Sequence, residues 1–273
     1  MISRISWARA AIVAVVAFWL TPLHANVIDG KDERGALAKL GPALGLSAAE
    51  ITRIRAVFGN VACFGTKPRI GSAALFVTNG QILSAAHIFF EGAARATKCF
   101  FRAQNATSDW LPLLTDDAHA RFGSATPRPG SNSDWAVVRL AAPIAGAVPF
   151  PVDASPRAPG DKLIVVTAHP QGFDALDPAM PVVQACTVRR VPKSSEATTF
   201  YRSDCDASPG SSGGMHLFRG ADRALSFRGM TISTGPSGGA LDGAPYNEKA
   251  GSVTTALGTD AAILKAAEEL GAR

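Results

Sequence analysis

The sequence predicts an all-β fold built as two β-rich halves and closed by one C-terminal helix. Three observations predict it. Short apolar runs broken by turn residues recur along a chain that carries 26 glycines and 18 prolines, the pattern of many short strands. The stretch from Ala141 to Gly160 is rich in Ala, Pro and Gly and divides those runs into two groups. From Asp260 the period changes, and Ala261, Ile263, Leu264, Ala267 and Leu270 fall on one helical face that Gly271 ends. With 273 residues, 47% hydrophobic and 18% charged, the chain can bury one large core or two small ones.

The first 25 residues stand apart from this pattern. Arg4 and Arg9 precede an apolar run from Ala10 to Leu20 that breaks at Thr21-Pro22, and Ala25 supplies a small residue for cleavage. This reads as a secretory signal, too short to serve as a comfortable bilayer span. The mature protein is expected to begin at Asn26 or Val27, with no stable membrane insertion after cleavage. The expected division is 1–25 signal peptide, 26–150 first β half, and 151–273 second half with the terminal helix. Losing Arg4 and Arg9 lowers the formal charge from +5 to +3. No Lys/Arg cluster with interleaved aromatics accompanies it, so nucleic acid is not an expected partner.

Along the mature chain, Asp29 to Arg34 is charged and irregular, and Ser47-Ala-Ala-Glu50 forms a capping-box pattern before Ile51 to Val57, where a short helix or a strand could follow. Ala73 to Val77 and Gln81 to Ser84 flank Thr78-Asn79-Gly80, a strong hairpin signal. His87 therefore lies just beyond a strand. Residues 107–133 read as loops, and Trp135 to Leu140 as a short buried strand with Asp134 at its entrance. Strand-like runs resume at Lys162 to Thr167, Val182 to Val188 and Leu225 to Ile232.

Four cysteines remain after the signal: Cys63, Cys99, Cys186 and Cys205. They contain no Cys-x-x-Cys pair and have no neighbouring histidine cluster, so metal-ligand spacing is absent and no cofactor is expected. An even number in an exported chain suggests two disulfides. Three connectivities are possible, of which the local one joins Cys63 to Cys99 and Cys186 to Cys205, one bond in each half.

Three separated segments carry chemistry. Ser84-Ala-Ala-His87 places a histidine at the end of an apolar strand, and Ser133-Asp134 places an acid before a buried one. Each alone is more readily a structural residue. The third, Asp206-Ala-Ser-Pro-Gly210-Ser-Ser212-Gly-Gly214, is more specific, because glycines two before and immediately after a serine permit a tight turn that exposes a hydroxyl. Acyl transfer needs these types together. A serine hydroxyl attacks only when a base takes its proton, a carboxylate holds that imidazole, and N–H groups receive the oxyanion. The order His, Asp, Ser is that of the chymotrypsin class.

Those segments, Leu83 to His87, Ser133 to Leu140 and Asp204 to Gly214, resemble the motifs of trypsin-like serine peptidases. Val27 to Arg34 is similar to mature amino termini of bacterial glutamyl endopeptidases. The resemblance implies two antiparallel six-stranded β-barrels, chymotrypsin-like, with the site in the cleft between them. It also implies that His87 is the general base, Asp134 orients it, and Ser212 attacks, with the N–H groups of Gly210 and Ser212 as the oxyanion hole. Ser211 stands where animal digestive members carry an Asp, so activation through that ion pair is unavailable. Thr231 stands near the place where glutamyl endopeptidases typically carry a histidine that helps bind an acidic side chain, and no histidine is present in Gly229 to Thr234. Asp206, six before Ser212, occupies the offset at which trypsin binds Lys or Arg, but an Asp at that offset is also found among glutamyl endopeptidases. A buried carboxylate must be satisfied by the substrate or from within. The internal partner is favoured, so the expected specificity at the Asp206 and Thr231 wall is neither strongly basic nor strictly acidic. His119, His169 and His216 have no recognisable partners and read as surface or loop residues. The sequence therefore predicts a serine endopeptidase, acting as a monomer on proteins or peptides in the periplasm or outside the cell. The alternatives are a silent protease-fold binding protein and a hydrolase of small esters.

Overall fold

A computed structural model describes residues 26–105, 109–168, 181–192, 200–235 and 243–271. The expected signal segment and His169 lie outside the described residues.

The chain enters through the short strand β1 (Gly35–Ala36) and two helices, α1 (Leu37–Ala43) and α2 (Ala48–Val57). The capping box forms as read: Ser47 Oγ accepts from the Glu50 N–H at 3.2 Å, and the Glu50 carboxylate accepts from the Ser47 N–H at 2.7 Å. Arg219 then holds Glu50 at 2.9 Å. Helix α1 gives no comparable sequence signal, because its N-cap, Ala36, has no side-chain acceptor for a cap bond and Pro42 lies inside it. It is held by burial of Leu37 and Gly41 and by the Leu37 N–H donating to Pro181 O at 3.0 Å.

The first barrel comprises β2 (Phe58–Phe64), β3 (Arg69–Leu75), β4 (Gln81–Ser84), the small hairpin β5 (Phe90–Glu91) and β6 (Ala94–Arg95), then β7 (Lys98–Ala103), β8 (Leu111–Leu114), β9 (Ala120–Phe122) and β10 (Ala136–Leu140). Six of these close antiparallel in the order β4-β3-β2-β7-β8-β10, with β10 returning to β4 and β9 added on the edge of β10. The second comprises β11 (Lys162–Thr167), β12 (Val182–Arg190), β13 (Phe200–Ser203), β14 (Met215–Arg219), β15 (Leu225–Ser233) and β16 (Thr254–Gly258). It closes in the order β12-β11-β14-β15-β16-β13, with β13 back on β12 and β1 laid outside β12. Closure leaves few open sheet edges. The fold is thus two six-stranded antiparallel barrels of the chymotrypsin-like type.

Inward residues fill each barrel, and the fully buried Phe76 and Phe227 meet edge to face at 5.5 Å to join the two cores. The last helix, α3 (Ala261–Gly271), starts where Asp260 Oδ1 accepts from the Ile263 N–H at 2.9 Å. It buries Ile263, Ala266, Ala267 and Leu270. Ala261, placed on that face by its spacing, is exposed instead, because the first residue of the helix overhangs the core. No helix among the described residues is long and apolar enough to cross a membrane.

Cys63 and Cys99 are direct cross-strand partners of β2 and β7 and are bonded to each other, and Cys186 of β12 is bonded to Cys205. The local pairing is the one formed. Residues 26–36 precede the first barrel in sequence but lie against the second: Asn26 exchanges backbone bonds with Ala207, and Gly35 and Ala36 pair with Val183 and Val182.

Candidate active site

The 3₁₀ turn Ala86–Phe89 follows β4 directly and carries His87 to the edge of the first barrel. Asp134 stands where the chain enters β10, which pairs with β4 through Ala136 and Ser84. That pairing brings the two residues together across 47 positions of sequence. The Asp134 carboxylate is fully buried and spends both oxygens on His87, accepting from the backbone N–H at 2.9 Å and meeting Nδ1 at 2.7 Å. A carboxylate on Nδ1 selects the tautomer that leaves Nε2 free to accept a proton.

Ser212 comes from the other barrel, on the loop before β14. It is half-buried, whereas Ser211 is fully buried, its Oγ accepting from the Ser208 N–H at 3.1 Å. The two adjacent serines are thus separated by environment, one locked into the loop and one presented at the surface. Gly210 and Gly213 hold φ near +93° and +83°, values an L side chain adopts only with strain. A Cβ on Gly213 would sit 1.8 Å from Ser72 O, so this position accepts no other residue without moving β3. The N–H groups of Ser211, Gly213 and Gly214 are taken by Ser208, Thr231 and Ser211 carbonyls. Among the described residues, the N–H groups of Gly210 and Ser212 meet no acceptor.

Ser72, on β3, was not singled out from the sequence. Its N–H donates to Ser212 O at 2.7 Å, its Oγ donates to Gly210 O at 3.0 Å, and Oγ accepts from the Ala168 N–H at 3.0 Å. One residue of the first barrel therefore clamps the serine loop of the second. The only trace in the sequence is Gly71-Ser72 at the start of an apolar run, which is too common to carry a role.

Asp206 is 2% exposed and satisfied from within: Oδ1 accepts from the Ile28 N–H at 2.8 Å and Oδ2 from the Glu33 N–H at 2.7 Å. Burial pushes its carboxyl up to about 6, against the opposing pull of those two hydrogen bonds. Thr231 is buried beside the loop, its backbone paired with Gly213 and Gly214 and its Oγ1 2.8 Å from His216 Nε2. His216 is therefore no surface residue. It lies on β14 with no exposure, its Nδ1 2.6 Å from the Tyr201 hydroxyl, and burial lowers it to about 3, which keeps it neutral. Its place inside the run Met215 to Phe218 was the overlooked signal. His119 is half-buried at the surface and does have a partner, Asp116, at 2.8 Å.

Residues 71–217 match the family model for the trypsin-like peptidase domain. The chain belongs to the trypsin-like peptidases. Among curated protein sequences nothing matches. Solved structures similar to this trypsin-like peptidase include a Glu endopeptidase in complex with MPD, 14% identical, with a TM-score of 0.63 over 90% of this chain and 100% of that one. The protease Anisep from Arthrobacter nicotinovorans is 15% identical, with a TM-score of 0.56 over 80% of this chain and 96% of that one. The serine endoprotease from Yersinia pestis is 15% identical, with a TM-score of 0.54 over 81% of this chain and 64% of that one. At these identities the likeness is one of fold. Family membership makes the chain a serine endopeptidase acting on proteins or peptides.

Proposed function

We propose that this trypsin-like peptidase is exported and cuts its substrates through an acyl-enzyme on Ser212, with His87 as base and Asp134 as its orienting carboxylate. The observation that carries the reading is the doubly bonded His87 and Asp134 pair, together with a loop of the second barrel that buries Ser211 and leaves Ser212 half-exposed. In the first step His87 Nε2 takes the Ser212 proton as Oγ attacks the scissile carbonyl carbon. The open N–H groups of Gly210 and Ser212 receive the oxygen's charge, a contribution of about 10²–10³ in rate for one such donor. His87 then gives its proton to the leaving amine, the C–N bond breaks, and water repeats the sequence to release the acid.

Specificity follows from how Asp206 and Thr231 are used. Asp206 is already satisfied by two backbone donors, so it has little to offer a Lys or Arg, and Thr231 replaces a cationic partner for an acidic side chain. The Glu endopeptidase among the structural neighbours is therefore a precedent for the fold more than for the pocket. We expect cleavage after neutral residues.

Export and cleavage after Ala25 fit the ordering of the segment that follows. Asn26 donates to Ala207 O at 2.7 Å and Val27 O accepts from the Gly243 N–H at 2.9 Å. A mature chain beginning beyond Glu33 would strip Asp206 of both donors. Two disulfides fit an oxidising compartment.

The test is a fluorophosphonate label with casein hydrolysis in parallel. The purified mature protein is expected to label and to digest casein, and Ser212→Ala to do neither, with turnover down on the order of a million-fold. Residual turnover above about a thousandth of wild type, contamination excluded, would refute the assignment. Labelling without casein hydrolysis would point to a small-ester hydrolase.

A further inference from the structure

Five large apolar side chains are exposed among the described residues, and three of them, Phe64 at 51%, Ile70 at 45% and Trp110 at 41%, stand on one face of the first barrel. Register shows why they gather. Ala62, two residues before Phe64 on the same side of β2, lies between Ile70 of β3 and Phe100 of β7, and Pro112 of β8 is opposite Phe100. Cross-strand partners project to the same side of a sheet, so these residues share one surface. Phe64 meets Phe100 edge-on at 6.0 Å, and Trp110 stands just before β8. Exposed apolar residues standing singly, such as Val148, are ordinary, but a cluster of aromatic rings is not.

The charges around these rings are mostly positive. Lys98 is exposed as the cross-strand partner of Phe64, and Lys67 is exposed in the turn that follows Phe64. Arg102, two residues beyond Phe100 on the same side of β7, holds its guanidinium 5.1 Å from the centre of the Trp110 ring. Among the described residues, none of these three cations is paired with a carboxylate. Of the two acids at the border, Asp109 is exposed beside Trp110. The other, Glu91, is engaged by Arg69 at 3.4 Å and by the Thr66 N–H at 3.1 Å.

Phe and Trp rings beside Lys and Arg are the composition of an interfacial membrane contact: the rings enter the headgroup boundary while the cations stay at anionic phosphates. These side chains project from the outside of a closed barrel, so they stand as ridges that enter a soft surface. We infer that the face formed by Phe64, Ile70, Phe100 and Trp110 with Lys67, Lys98 and Arg102 is a peripheral docking surface for an anionic lipid bilayer. Such docking leaves the catalytic assignment untouched, since none of these residues belongs to it.

Vesicle sedimentation tests it with the chain from Asn26 onward, so that the apolar leader takes no part. The vesicles are phosphatidylcholine alone, or phosphatidylcholine with about one third phosphatidylglycerol. Each cation near an anionic surface adds about fivefold to partitioning, so wild type is expected to prefer the anionic vesicles about a hundredfold and to lose most of that preference in high salt. Of the two tryptophans beyond the leader, Trp110 is 41% and Trp135 9% exposed, so a blue shift of fluorescence on binding reports entry of Trp110 and needs no variant. Phe64→Ser and Ile70→Ser should each weaken binding to the anionic vesicles about tenfold, with an unchanged thermal transition. Lys98→Glu, a change of two charges, should weaken it about twentyfold. Equal binding to both kinds of vesicle, binding to neither, or an unshifted Trp110 emission overturns the inference. So does a preference that Phe64→Ser and Ile70→Ser leave untouched, because charge alone would then account for it. A lipid-free dimer that both variants dissociate overturns it too, since a second copy would then cover the face.

Discussion

Replacing Ser72 by alanine removes a hydroxyl that donates to Gly210 O and accepts from the Ala168 N–H, both at 3.0 Å. Each neutral bond contributes about 1 kcal/mol net, and the buried N–H left without a partner costs about 1–3 kcal/mol. Ala168 is 1% exposed, so water does not readily replace the hydroxyl. The expected loss of stability is roughly 2–3 kcal/mol, a fall in Tm of roughly 5–10 °C for a chain of this size. The backbone N–H of Ser72 still holds Ser212 O at 2.7 Å, so the nucleophile keeps its place while Gly210 loses its anchor. Misplacing one oxyanion donor should cost less than deleting it, so the acylation rate is expected to fall roughly 10- to 100-fold with little change in KM. Thermal unfolding and the pre-steady-state burst with an activated ester measure the two quantities separately. A fall in Tm with an unchanged burst rate would show that Ser72 only holds the barrels together and does not position the oxyanion loop.

Other substitutions read the same geometry. Ser211→Ala should keep most of the catalytic rate yet lose about 1–3 kcal/mol of stability, since it orphans the buried Ser208 N–H; a rate loss comparable to that of Ser212→Ala would reverse the two assignments. Replacing Cys63 and Cys99 together by alanine should cost about 3–4 kcal/mol in the chain-entropy account, read by denaturant unfolding under non-reducing conditions. Asp206 is an acid raised from 3.8 to about 6 in the fold, so between those values the native state binds more protons than the unfolded one, and its contribution falls as pH rises. The stability of wild type relative to Asp206→Asn should therefore decline by roughly 2–3 kcal/mol from pH 4 to 7; a difference independent of pH would refute the desolvated carboxyl.

Local chemistry was written plainly in the sequence. A hairpin forms around Asn79-Gly80, although the left-handed residue of its loop is Val77, Ser47 and Glu50 make the capping box, and the spacing of Ile263, Ala267 and Leu270 makes the last helix, because turns, caps and amphipathic faces depend on neighbours within a few positions. The histidine, aspartate and serine segments stand out as candidates in the sequence because each carries its own strand or glycine context. Even the disulfides followed from local pairing within each half. What depends on contacts far along the chain was decided only by folding. Helix α1 has no cap of its own and forms because Leu37 is buried and donates to Pro181. His216 looked like a loop residue until β13, β14 and β15 closed around it and supplied Tyr201 and Thr231 as partners. Asp206 receives its donors from residues more than 170 positions earlier, and Ser72 reaches Gly210 across 138. A hydroxyl or carboxylate carries no mark in the sequence of which distant N–H it will meet. Closing two barrels against each other brings those groups within hydrogen-bond reach, and burial there makes leaving any of them unpaired costly.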